Sequence, residues 1–90
     1  MKWGIKMQQF MRKFKQLNGV KVEVILAHCL FDKQRFICPS LKTIDDNERI
    51  GLLLRGHSIF MYKRDVKVAE VQDSTYTISD GRLTLNINKL

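Results

Sequence analysis

The dipeptide Asn18-Gly19 separates two hydrophobic periods, and that change restricts the chain to a helix followed by strands. Before it, Trp3, Met7, Phe10, Phe14 and Leu17 recur at steps of four, three, four and three residues, which puts them on one stripe of a helix. Met11 widens the stripe, while Lys6, Gln9, Arg12, Lys13 and Gln16 lie away from it. Asn18-Gly19 supplies a left-handed stop. From Val20 the period is two: Val20, Val22 and Val24 alternate with Lys21 and Glu23, predicting a half-buried strand that runs on through Ile25 and Leu26.

The remaining chain reads as short strands joined by polar turns. Residues 28–34 read as a connection with a turn at Asp32-Lys33, and Arg35 to Leu41 as a second strand that Pro39 breaks or pushes to an edge. Asp45-Asp46-Asn47-Glu48 is a polar turn, followed by strands over Ile50–Leu54, Ser58–Tyr62 and Val66–Val71. Tyr76 and Ile78, then Leu83, Leu85 and Ile87, alternate with polar residues on either side of Asp80-Gly81, a strong hairpin signal. Strands at this spacing favour a small antiparallel barrel or sandwich. No internal repeat or linker argues for a second domain, and 90 residues bury only about 60 to 65 per cent of their unfolded surface, so association would help the core.

Charge is informative by position. The formal net charge is +7, and Lys2, Lys6, Arg12, Lys13, Lys15 and Lys21 all precede the first acid, Glu23. From Glu23 onward acids and bases nearly balance, so the positive field belongs to the helix, which favours phosphate-bearing partners. A solvated amphipathic helix lying across a sheet, or one at a bilayer surface, has the same pattern. No run approaches the length of a membrane span and no signal-type apolar segment opens the chain, so a cytoplasmic protein with no membrane partner is expected. Two cysteines, Cys29 and Cys38, are too few for a disulfide scaffold and read as buried thiols.

Arg49 to Val66, passing through Leu52-Leu53-Leu54 and Ser58-Ile59-Phe60-Met61, resembles the second half of the bacterial Hfq branch of Sm-like RNA-binding proteins. In that branch a long apolar strand runs into a Tyr-Lys-His-small-Ile bend that lines the pore of a ring. Tyr62-Lys63 match it, with Arg64 where the family usually has His and Asp65 in place of the small residue. Leu54-Arg55-Gly56-His57-Ser58-Ile59 also resembles the Ile-Arg-Gly-Asn-x-Ile signature of archaeal and eukaryotic Sm domains, whose arginine contacts a uridine. The Hfq-like register is preferred, because Val20 to Arg55 is short for the four strands that precede the arginine in the other branch.

The resemblance covers the helix through Val71 and implies a mainly β fold with an N-terminal helix: residues 1–18 helix, 20–71 a strongly bent antiparallel Sm-like (SH3-like) barrel, and 74–88 an appended hairpin. It further implies a divergent, phage-type homo-oligomeric ring of about five to seven subunits that binds single-stranded RNA. Tyr62, Lys63 and Arg64 would meet RNA near the pore, or Arg55 in the other register. Arg12, Lys13 and Lys15 would contact phosphates, and Gln8 or Gln9 would take the place of the family's uridine-contacting helix glutamine. An aromatic beside cations suits single strands, since stacking contributes about 1 to 3 kcal/mol per base and phosphate neutralisation the salt-sensitive remainder. The bland reading of the same residues is a half-buried strand aromatic and two solvated bend cations.

Catalytic patterns are thin. His28-Cys29 with Cys38 and His57 match no paired zinc-ligand spacing, a Cys29–His dyad lacks support, and no phosphate-cradling glycine loop is present. Asp45 and Asp46, adjacent in a polar turn, read as turn-bonding residues. Neither enzyme activity, a metal nor a cofactor is expected. The alternative function is an oligomeric structural or assembly module, such as a viral one, with no nucleic-acid role.

Overall fold

The computed structural model describes residues 4–90, with side chains from Met7 onward. Trp3 and Lys2 lie outside the described residues, as does the Lys6 side chain. Helix α1, Gly4–Lys15, follows the period of its apolar residues: Met7, Phe10 and Phe14 are buried, and Leu17 is buried just beyond its end. Phe10 stacks on Phe14 and meets the edge of Tyr76. Arg12, Lys13 and Lys15 occupy the last turn, where the helix dipole favours cations. Gly19, at φ +79°, ends the helix and donates its N–H to the Leu41 carbonyl. Asn18 works in both directions, with Nδ2 donating to the Lys15 carbonyl and Oδ1 accepting from the Thr43 N–H.

Eight strands follow: β1 Val22–His28, β2 Phe31–Cys38, β3 Lys42–Asp45, β4 Arg49–Leu54, β5 His57–Tyr62, β6 Val68–Gln72, β7 Thr75–Ser79 and β8 Leu83–Lys89. They form two antiparallel sheets, one ordered β2-β1-β8-β7-β6 and the other β3-β4-β5. Val22 and Val24, Tyr76 and Ile78, Leu85 and Ile87 line the inner face of the larger sheet. Ile50, Leu52, Leu54 and Met61 line that of the smaller one, and the α1 stripe joins them in a single core. The helix touches β6 of one sheet and β3 of the other, so it closes one seam between the two. Among the described residues, no helix is long and apolar enough to cross a membrane.

The mainly β fold with an N-terminal helix is as the sequence suggests, but the barrel is not closed. Among the described residues no strand pairing joins the two sheets. The chain changes sheets twice, at Pro39-Ser40-Leu41 and at the 3-10 turn Lys63–Asp65. Pro39 has no N–H to donate, so β2 ends there instead of bending on into β3. The predicted turn at Asp32-Lys33 is also displaced, since both residues lie within β2. The reversal is at Cys29-Leu30, where His28 Nδ1 accepts the Leu30 N–H at 3.1 Å.

The C-terminal hairpin is not appended. β8 lies between β1 and β7, pairing along its length with β1 through Val22↔Lys89 to His28↔Leu83. Its polar face is spoken for by cross-strand partners: Thr75 bonds Asn88, Thr77 bonds Asn86, and Ser79 bonds Thr84. Asn88 also donates to Glu23, which pairs with Arg35 on β2, so a polar ladder crosses the outer face of the sheet. Truncating the chain at Asp80 is therefore expected to abolish cooperative unfolding. Leu85→Ala, at a fully buried position, should cost about 2 to 5 kcal/mol. Thermal and urea melts followed by circular dichroism check both; an appended hairpin would leave the midpoint of the shortened chain unchanged.

Candidate functional site

The bend after β5 is built from both sides. Apolar alternation carries β5 as far as Met61, which is buried, and turns Tyr62 outward to 41% exposure. On β4, Gly51 sits opposite Phe60, and a Cβ there would collide with the Ile59 carbonyl and Phe60 Cα; glycine is what lets the two strands close up. The Phe60 ring is then covered by the Arg49 guanidinium, 5.0 Å from its centroid, and meets Tyr62 edge-on at 5.8 Å. Arg64 lies over the Tyr62 ring at 5.1 Å and is itself 81% exposed. Beside this pair is a cleft of about 140 Å³ lined by Asn47, Glu48, Tyr62, Lys63 and Arg64. That volume is below the range of small-molecule pockets, so the cleft suits one flat ring laid at the surface.

Lys63 has a different role from its neighbours. Its ammonium donates to Asp45 Oδ1 at 2.8 Å and to the Asp46 carbonyl, its side chain is only 18% exposed, and its N–H donates to the Glu48 carbonyl. Asp45, 6% exposed, takes Lys15 of α1 on its other oxygen at 3.5 Å. One carboxylate thus fastens the end of β3 to the 3-10 turn through Oδ1, while Oδ2, buried without a hydrogen-bond donor among the described residues, has only the longer ion pair to the last turn of the helix. Asp45 is the residue that sequence reasoning missed. It read as part of a solvated turn because β3, Lys42-Thr43-Ile44-Asp45, is short and carries no apolar alternation.

Asp46 does behave as a turn residue. Its Oδ1 accepts the Glu48 and Arg49 N–H groups at 2.9 and 2.7 Å, and its Oδ2 accepts the Arg49 side chain at 2.8 Å. The Arg49 side-chain bond foremost, then the two backbone donors, lower its pKa to about 2.

The other candidates are dispersed. Gln8, Arg12 and Lys13 are exposed on α1, and Gln9 and Lys13 line a groove of about 180 Å³ with Phe10 and the β6 residues Ala69, Glu70 and Val71. Arg55 and Gly56, at φ +51° and +82°, form the two-residue turn between β4 and β5. Arg55 lies over Phe36 of β2 at 5.4 Å, so it sits at the opposite end of β5 from Tyr62, roughly 17–20 Å away at strand rise. The structure does not bring the two motifs together. The thiols are not buried as the sequence suggests: Cys29 is exposed beside His28 at the tip of the β1–β2 hairpin and Cys38 is half-buried at its base, because both lie at the ends of an edge hairpin, while His57 belongs to the other sheet. Among the described residues, no three His, Cys, Asp or Glu side chains converge to hold a metal ion.

No protein-family model matches the chain, and comparisons with curated proteins and with solved structures returned no significant match.

Two outcomes follow from the Asp45 and Asp46 geometry. Asp45→Asn removes the counter-charge of a mostly buried ammonium and should cost about 2–3 kcal/mol, somewhat less than a fully buried pair; Arg64→Gln, at the exposed neighbour, should stay within about 0.5 kcal/mol. Urea melts of the two variants compare them directly. Because the Asp46 pKa is depressed in the folded state, its stabilisation is present above the ordinary value of 3.8 and is lost as pH falls from there through about 2. Asp46→Asn should flatten the melting temperature over that window and lower it above pH 4, as a pH series of thermal melts would show.

Proposed function

We propose that this chain binds single-stranded RNA, with Tyr62 as the stacking platform and Arg64 as the cation beside it. The observation that carries this reading is the exposed Tyr62 ring with a solvent-facing guanidinium across it, held only by a long 4.0 Å ion pair to Asp65, and a ring-sized cleft alongside. A planar, weakly hydrated guanidinium can stack on a base or pair with a phosphate, and it stays charged at any working pH. Lys63 serves this site indirectly, by holding the bend to Asp45. Arg12 and Lys13 of α1 add sequence-independent phosphate contacts, with Gln8 or Gln9 beside them.

The resemblance of Tyr62-Lys63 to the Hfq-like bend supports RNA as the ligand and a cytoplasmic ring of about five to seven copies as its form. Repetition around a ring would convert a weak single cleft into multivalent binding. A second reading has its own support: β2 is an edge strand exposed along most of its length, with Phe31 and Ile37 unburied, and such an edge invites pairing with another chain. In that reading the protein is an assembly module.

Tyr62→Ala should weaken binding of single-stranded uridine- or adenosine-rich RNA by about 1 to 3 kcal/mol, whereas Arg55→Ala should leave it nearly unchanged. Arg64→Gln should lower the salt slope by roughly 0.7. Fluorescence anisotropy at several salt concentrations measures both effects, with native mass spectrometry showing that each variant keeps the wild-type assembly. Wild-type affinity weaker than ~10⁻⁴ M would sink the RNA reading, and a discrete oligomer in the same sample would then favour the assembly module.

A further inference from the structure

Arg64 lines a second, larger depression on the far side of the 3-10 turn. This groove, of about 570 Å³, runs between Lys63–Asp65 and the β7–β8 turn and is lined by Lys67 and Arg82 as well as Arg64. The Lys67 side chain lies over Gly81, which has φ +92° and no Cβ to obstruct it. Among the described residues neither Lys67 nor Arg82 has a carboxylate within salt-bridge distance. Two acids share the groove. Asp80 is turned toward its own loop, with Oδ1 accepting the Arg82 and Leu83 N–H groups at 2.8 Å each, and Asp65 stands 4.0 Å from Arg64.

The groove leads to the tip of the β1–β2 hairpin. The Arg82 carbonyl accepts the Cys29 N–H at 3.0 Å, so the two turns are fastened together. Two residues beyond Cys29 is Phe31, 69% exposed, its ring 5.3 Å from that of His28. With β1 between β2 and β8, Phe31 stands roughly 10 Å from the start of β8, two strand spacings away.

Resting on the RNA reading above, we infer that the bound strand continues from Tyr62 past Arg64, lays its phosphates against Lys67 and Arg82, and stacks a further base on Phe31. Two exposed aromatics separated by a cationic groove are what a single strand needs, since stacking and phosphate neutralisation alternate along it. The concave shape also discriminates between anionic partners. A flat anionic bilayer would rest on the rim of the groove, whereas a narrow strand can enter it and reach Lys67 and Arg82.

Oligouridines of about four and about twelve nucleotides, lengths within the usual range of single-strand sites, separate the two ends of the track. The full chain should bind the longer one more tightly. The double variant Lys67→Gln with Arg82→Gln should lower the salt slope for the longer strand by about 1.4, or roughly 0.7 per phosphate, and leave the shorter strand within about twofold. Phe31→Ala should weaken the longer strand by about fivefold or more and spare the shorter. All three positions are exposed, and thermal melts would show that folding is unaltered. Unchanged slope and affinity for the longer strand in the double variant would overturn the inference while Tyr62 binding stood. Wild-type binding to neither strand would remove the RNA reading and the track together. Binding to phosphatidylserine vesicles that Phe31→Ala abolishes, with no binding of the longer RNA, would assign the hairpin tip to a membrane surface and refute the track.

Discussion

The buried Asp45 carboxylate organises the exposed half of the molecule. It accepts a hydrogen bond from Lys63 of the 3-10 turn on Oδ1 and has a longer ion pair with Lys15 of the helix at Oδ2, which no donor satisfies among the described residues, so three segments far apart in sequence meet at one side chain. Taking a carboxylate out of water is costly, and an ammonium within hydrogen-bond distance offsets that cost only if the geometry is held. Here it is held from both directions, by the Lys63 N–H on the Glu48 carbonyl and by the Asn18 bonds that tie the helix end to β3. With the bend held in this way, Tyr62 and Arg64 project from a braced base, so the proposed stacking surface would not have to be ordered on binding.

The same pairing sorts the basic residues into two kinds. Lys63, Lys15, Arg35 and Arg49 are engaged with carboxylates within 3.5 Å, although only Lys63 is mostly buried, while Arg64 has just the long 4.0 Å pair with Asp65. Arg12 and Lys13 on the helix, and Arg64, Lys67 and Arg82 around the larger groove, remain turned to solvent. Net charge by itself would point to the helix alone. Once the pairs are subtracted, the field is divided between the helix and the face that carries Tyr62.

The two unpaired seams between the sheets, one of them covered by the helix, follow from strand order. β8, the last strand, is central to the larger sheet, and β2 and β6 are left at its edges. The helix covers the seam at β6 and β3, while at the other seam Arg55 reaches across to Phe36. β2 carries Lys33 and Arg35 among its exposed residues, the kind of charges that discourage indiscriminate edge pairing.

What the residues determined by themselves was local. A period of three to four followed by a period of two specified the helix and most of the strands. Asn18-Gly19 and Asp80-Gly81 placed two reversals, because glycine alone takes those positive φ angles without strain. Whether strands close into a barrel was not legible, since closure depends on hydrogen bonds between segments that alternation does not distinguish. The hairpin 74–88 read as an appendage for the same reason: its alternation is identical whether one edge or both are paired, and only the fold put β1 beside β8. In the candidate site, Tyr62 and Arg64 were visible as an aromatic beside a cation, but the separation of Lys63 from them was decided by Asp45, 18 residues away. Burial and pairing of a charge depend on what arrives from elsewhere in the chain, and that is a property of the tertiary structure alone.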